Sequence, residues 1–129
     1  MLSRSVFDLA GGEPTFRLLV QRFYARVATD PILRAVYPEQ DLAAATERLT
    51  LFLIQYWGGP TTYSDERGHP RLRLRHAPFA IDSAARDRWL THMRTALLEA
   101  VNEGLGADAA NELWGYFVPV ADGMRNRDG

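Results

Sequence analysis

Along most of this chain, apolar side chains recur at the spacing of an α-helix, and that period constrains the fold more than any single motif does. Phe16, Leu19, Val20, Phe23, Tyr24 and Val27 fall at i, i+3, i+4, i+7, i+8 and i+11, which makes one stripe on a helix of three turns or more. Before it, Ser5 to Ala10 reads as a short segment stopped by Gly11-Gly12, and Pro14 suits a first helical turn. Asp30-Pro31 opens a further short turn over Ile32 to Val36, which Tyr37-Pro38 closes. Leu42, Ala45, Leu49, Phe52, Leu53 and Tyr56 repeat the helical spacing, with Asp41 as the expected N-cap and Gly58-Gly59-Pro60 as the stop. Asp82 is placed to cap a long helix with Trp89, Leu90, Met93, Leu97 and Val101 inward, ending near Gly104 and Gly106. A last helix is expected from about Ala109, with Leu113, Phe117, Val120, Ala121 and Met124 inward and a kink at Pro119.

Two stretches break the pattern. Thr61 to Pro70 is polar, holds Gly68 and Pro70, and shows neither period, so it reads as a loop of about ten residues. Arg71-Leu72-Arg73-Leu74-Arg75-His76 alternates, which taken mechanically is a strand. A lone strand in a helical chain has no partner for its hydrogen bonds, so that reading is physically poor. No repeat, low-complexity tract or linker divides the chain. The expectation is one all-α domain over residues 1–129.

Composition narrows the chemistry. With no cysteine there are no disulfides, thiolate metal sites, iron–sulfur clusters or cysteine nucleophiles. All 15 basic residues are arginine, which excludes Schiff-base lysines and a phosphate-loop lysine. A net charge of -1 gives no global attraction to nucleic acid or anionic membrane. No run approaches the ~20 apolar residues of a membrane span. The N-terminal residues lack an apolar stretch of signal-peptide length. A cytoplasmic location is therefore expected. Nucleophile elbows, dinucleotide and phosphate loops, HExxH and zinc spacings are all absent.

Three histidines remain. His69, before a proline in the polar stretch, reads as solvent-facing, and His92, offset from the Trp89–Met93–Leu97 stripe, as a surface residue. His76 follows the Arg/Leu run and precedes Ala77-Pro78-Phe79; a histidine so placed is either a hydrogen-bonded core residue or a metal ligand. Tyr24 and Trp89 lie on inward stripes and Tyr37 at a tight proline turn. Each buried O–H or N–H needs a partner, and singly a backbone carbonyl would serve. Three such donors converging on one cavity would suit an anion or a polar diatomic ligand.

Gln55-Tyr56-Trp57-Gly58-Gly59-Pro60, followed by Arg67-Gly68-His69-Pro70-Arg71-Leu72-Arg73-Leu74-Arg75-His76-Ala77-Pro78-Phe79, resembles the truncated haemoglobins, specifically their second group. The early Gly11-Gly12, Phe23-Tyr24, Tyr37-Pro38 and Trp89 fall in the family's order, so the resemblance covers nearly the whole chain. It implies a shortened globin, two helices crossing over two around haem b (iron protoporphyrin IX), with the alternating run as a short proximal helix. His76 then matches the axial ligand of the haem iron. Tyr24, Tyr37 and Trp89 match the distal residues that stabilise bound ligand. Ala45 stands where many globins carry a distal histidine, and Leu49 and Phe52 should pack on the porphyrin. Arg48, Tyr63 and Arg75 could meet the haem propionates, where bidentate guanidinium–carboxylate pairing fits.

The implied ligands are O₂, NO and CO, and the implied activity is tight O₂ binding for sensing, storage or delivery. The alternative is NO dioxygenation or peroxidase-like turnover, which needs a separate reductase, since this chain has no flavin or nicotinamide motif. A haem-free helical module binding through Arg71, Arg73 and Arg75 is a different class. Asp65 and Glu66 offset that charge locally, so no nucleic-acid partner is expected. Leu113 and Trp114, apolar together, leave room for a homodimer.

Overall fold

In the computed structural model, which describes residues 5–38, 42–77 and 79–127, the described residues form eight helices and no strand. They are α1 (Val6–Ala10), α2 (Glu13–Val27), α3 (Pro31–Arg34), α4 (Ala43–Tyr56), α5 (Thr62–Arg67), α6 (Leu72–His76), α7 (Ser83–Asn102) and α8 (Ala107–Gly123). Asp41, the expected N-cap of α4, and Pro78 lie outside the described residues, as does the side chain of Arg73. None of the helices described is long and apolar enough to cross a membrane.

The apolar stripe of α2 organises the packing. Phe16, Leu19, Val20, Phe23 and Val27 are all within 1% of full burial. That face lies against α7 and α4, while α7 also packs on α8, so the α2/α4 pair crosses the α7/α8 pair. Met93, Ala96 and Leu97 from α7, Leu53 and Ile54 from α4, and Leu113 and Phe117 from α8 complete the core. Each large apolar side chain buried this way contributes roughly 1.5–3 kcal/mol. Between α1 and α2, Gly11 adopts φ +109°, and a Cβ there would stand 2.5 Å from the Thr15 hydroxyl. Only glycine tolerates both conditions, which explains the stop read from the sequence.

One sequence expectation about secondary structure is corrected and another is met. Thr61 to Pro70 is not a loop throughout, because α5 occupies Thr62–Arg67. Six residues are too few to display a period, and the helix is held from outside. The Gln55 amide donates to Ser64 Oγ at 2.7 Å and accepts from Ser64 N–H at 2.9 Å, and Tyr63 is buried. Leu72–His76 is helical, as the resemblance implied, and not the strand that the alternation alone would suggest. Arg71 enters it in the left-handed region at φ +47°, a turn that alternation cannot reveal. The last helix starts at Ala107 and carries Pro119 inside it, continuing to Gly123.

A second correction concerns His92, which is not a free surface residue. Its Nε2 lies 2.7 Å from Asp30 Oδ2. Asp30 is 5% exposed and caps α3 by accepting from the Ile32 and Leu33 amides at 3.0 and 3.3 Å. Arg88 Nε donates to both its oxygens at 2.9 and 2.8 Å. The carboxylate thus joins the start of α3 to the middle of α7. The His92 hydrogen bond, then those of Arg88 and the Leu33 amide, hold the Asp30 carboxyl well below the usual carboxylate range, against the opposing effect of burial.

Two outcomes follow for stability. Phe23→Ala should lower the unfolding free energy by about 3–5 kcal/mol in urea titration, since nothing nearby can fill the cavity without moving α7. Because folding lowers the Asp30 pKa, its contribution is complete above the ordinary value near 3.8 and is lost as pH falls below it. Asp30→Asn should therefore melt below the wild type at neutral pH, and the gap should close as pH is lowered through that window. A gap independent of pH would show that the charge is not what matters.

Candidate functional site

All ten residues singled out from the sequence, Tyr24, Tyr37, Ala45, Arg48, Leu49, Phe52, Tyr63, Arg75, His76 and Trp89, line one cavity of about 430 Å³. Its walls are mainly apolar, with Leu33, Val36, Leu53, Leu72, Phe79 and Ile81 among them. That volume falls within the range of small-molecule and cofactor sites.

One side of the cavity carries polar aromatics from three separate elements. Tyr24 stands on α2 and is 7% exposed; Tyr37 follows α3; Trp89 stands on α7. The Tyr24 and Tyr37 rings meet edge to face at 5.5 Å. Phe23 touches both Tyr24 and Trp89, with ring centroids 4.9 Å from each. Trp89 also leans on Phe117 at 5.6 Å. The Arg34 guanidinium donates to the Tyr37 carbonyl at 2.9 Å, which fixes the turn. Arg88, beside Trp89 on α7, is the residue that grips Asp30 at the start of α3. One ion pair therefore sets the spacing between the helix that presents Trp89 and the turn that presents Tyr37.

His76 enters from α6. Its Nδ1 lies 2.6 Å from the Leu72 carbonyl oxygen, one turn back. A carbonyl can only accept, so Nδ1 carries the proton, and in the neutral ring Nε2 keeps its lone pair. This is the arrangement a metal-ligating imidazole requires, because the second-shell bond fixes both tautomer and ring orientation.

Arginines mark the rim. Arg48 from α4, Arg67 from α5 and Arg75 from α6 all line the cavity. The guanidinium carbons of Arg67 and Arg75 each stand 5.9 Å from the Tyr63 ring centroid. Arg75 also donates from Nη2 to the Arg67 carbonyl at 2.8 Å, which closes the turn between α5 and α6. Sequence reasoning missed Arg67, whose place on the rim depends on α5 being a helix. It also missed Tyr116 and Phe79, which line the cavity. The Tyr116 phenol is pushed up to about 12 by burial, with the neighbouring Tyr56 adding to the effect, so it remains a neutral donor at physiological pH.

Apolar walls, guanidinium groups at the rim and one imidazole with a free lone pair fit a flat macrocycle that carries a metal and two carboxylates. Polar aromatics on the same cavity offer donors to a small polar ligand. The donor set and cavity thus suit haem.

The bacterial-like globin family model matches residues 5–125. A group 2 truncated haemoglobin of Bacillus subtilis is 43% identical over 116 residues, covering 90% of this chain and 85% of that protein. The solved structure of a thermostable haemoglobin from the actinobacterium Thermobifida fusca superposes with a TM-score of 0.91 at 54% identity, covering 95% of this chain and 98% of that one. A truncated oxygen-avid haemoglobin from Bacillus subtilis gives a TM-score of 0.87 at 36% identity, over 95% of this chain and 100% of the other. The two-over-two helical arrangement agrees with these structures. This chain belongs to the globins, as a truncated haemoglobin of the second group, and with that membership come a haem cofactor and haem-based binding of small ligands.

Proposed function

We propose that the chain holds haem b with His76 as its axial ligand and binds O₂ tightly on the side lined by Tyr24, Tyr37 and Trp89. The observation that carries this reading is the His76 Nδ1–H bond to the Leu72 carbonyl, made on the same cavity where the three polar aromatics meet. Bound haem supplies the iron at which a diatomic ligand can sit. The rest is the work of this chain's own residues. Leu49, Phe52 and the apolar walls exclude water, and Arg48, Arg67 and Arg75 pair with propionate carboxylates at the rim. The Tyr24 and Tyr37 hydroxyls and the Trp89 indole N–H donate hydrogen bonds to a polar ligand. In a dry pocket each such bond is worth roughly 1–3 kcal/mol, and ~1.4 kcal/mol is tenfold in rate. Two or three donors slow O₂ release by orders of magnitude, which suits avid binding better than bulk transport. The oxygen-avid Bacillus subtilis structure supports that direction by analogy.

An absorption spectrum of the haem-supplemented protein, before and after reduction and with CO, tests the cofactor. We expect an intense Soret band at one haem per chain that shifts with reduction and CO and is lost in His76→Ala. Absence of the band from the wild type would favour a haem-free module. Stopped-flow O₂ release tests the distal set. Tyr24→Phe, Tyr37→Phe and Trp89→Phe should each speed release by about tenfold or more, as loss of one ~1.4 kcal/mol bond requires. Wild-type release as fast as that of the triple variant would refute the avid reading.

A further inference from the structure

The end of the chain grips the segment that follows His76. Asn126 lies just past the end of α8, and its backbone N–H donates to the Ile81 carbonyl at 2.9 Å. Its side chain answers the same residue, since Oδ1 accepts from the Ile81 N–H at 2.9 Å. The amide nitrogen then donates twice, to the Phe79 carbonyl at 2.8 Å and to the His76 carbonyl at 3.2 Å. Both amide hydrogens and the amide oxygen of one side chain are thus spent on residues 76–81.

These bonds fall where the fold most needs them. α6 is only five residues long and His76 is its last residue; the His76 carbonyl accepts from the Phe79 N–H at 3.0 Å, and the Asn126 amide is its second donor. A helix that short has little stability of its own. Asn126 acts as a cap delivered across 50 residues of sequence. The His76 ring is tied to the Leu72 carbonyl, and its own carbonyl is shared between the neighbouring Phe79 N–H and the distant Asn126 amide. Phe79 and Ile81, held by the same amide, supply part of the cavity wall. An aspartate here would keep the bond to Ile81 but lose both donations and set a charge against two carbonyl oxygens.

We propose that Asn126 is a positioning residue for His76, fixing where the imidazole stands in the cavity by capping its helix from the end of α8. The proposal rests on the reading of His76 as axial ligand. The neighbouring Arg125 provides the control. It ties the same chain end to α7, donating from Nη1 to Ser83 Oγ at 2.9 Å, and makes no bond to the described residues among 76–81. A purely structural loosening of the chain end would therefore follow from Arg125→Ala as readily as from changes at Asn126.

The test uses the haem-loaded protein and reads the iron–histidine stretching band of the ferrous, ligand-free form by resonance Raman, alongside amide hydrogen exchange. Asn126→Ala and Asn126→Asp should both shift or broaden the band, and both should accelerate exchange of the Phe79 amide, whose bond to the His76 carbonyl at 3.0 Å spans the two carbonyls that the Asn126 amide holds. Ile81 exchange should rise in Asn126→Ala and stay near wild type in Asn126→Asp, which retains the Oδ1 acceptor. Arg125→Ala should leave the band in place. A band unmoved in Asn126→Asp, or moved equally by Arg125→Ala, overturns the positioning role. Should the wild type itself show no iron–histidine band, the axial-ligand reading fails first and this inference with it. That outcome is visible in the wild type before any variant is compared.

Discussion

Phe23 is wholly buried where α2 crosses α7, and its ring meets Tyr24 on its own helix and Trp89 on the other. The crossing can take only a few angles, because ridges of one helix must fill grooves of the other, and a fully buried ring admits almost no slack. The same contact that stabilises the bundle therefore sets the distance between two of the three polar aromatics in the cavity. Asp30 adds the third. By capping α3 and gripping Arg88 and His92 on α7, it places the turn that carries Tyr37 relative to the helix that carries Trp89. A buried carboxylate is tolerable only when it is fully paired, and here every partner is also a positioning contact.

The part of the wall that carries His76 is built differently. α5 and α6 are single-turn elements with scant helical stability of their own, and each is held by side chains from elsewhere. Gln55 reaches from α4 to Ser64, Arg75 closes the turn back to the Arg67 carbonyl, and Asn126 reaches from beyond α8 to His76, Phe79 and Ile81. The residue read as an axial ligand thus sits on one of the least autonomous pieces of the fold. That economy has a physical logic: a ligand held by long-range bonds is placed by the whole molecule and is insensitive to fraying of its own helix.

Exclusive use of arginine also acquires a role at the rim. A guanidinium can lie over the Tyr63 ring, bond a main-chain carbonyl and still present N–H groups outward, as Arg75 shows in part. An ammonium on a flexible stem cannot serve all three at once. The neutral Tyr116 phenol, further along the wall, adds a donor without adding charge.

The long helices were legible in the sequence because their burial repeats over enough residues to show a period, as the stripe from Phe16 to Val27 does. Their stops were legible too, since Gly11 at φ +109° has no substitute. Tyr24, Tyr37, Trp89 and His76 drew notice because polar aromatics on inward stripes or at a tight turn, and a histidine beside apolar residues, are costly to bury without purpose, whereas Ala45, Arg48, Leu49, Phe52, Tyr63 and Arg75 were named only through the resemblance to the truncated haemoglobins. Of the short elements, α1 and α3 were legible from their caps and stops, whereas local pattern failed at α5 and at α6, the latter read as a helix only through the resemblance. α6 alternates like a strand and α5 reads as a loop, because in so few residues the deciding energy comes from Gln55, Arg75 and Asn126, all distant in sequence or outside the element they hold. Nor could the pairing of His92 with Asp30 be seen, nor the tautomer of His76, for each depends on which oxygen stands within 3 Å. Helical period is a property of local sequence and was determined there; the convergence of three aromatics, one imidazole and the rim arginines on one cavity was decided only when α2 closed on α7.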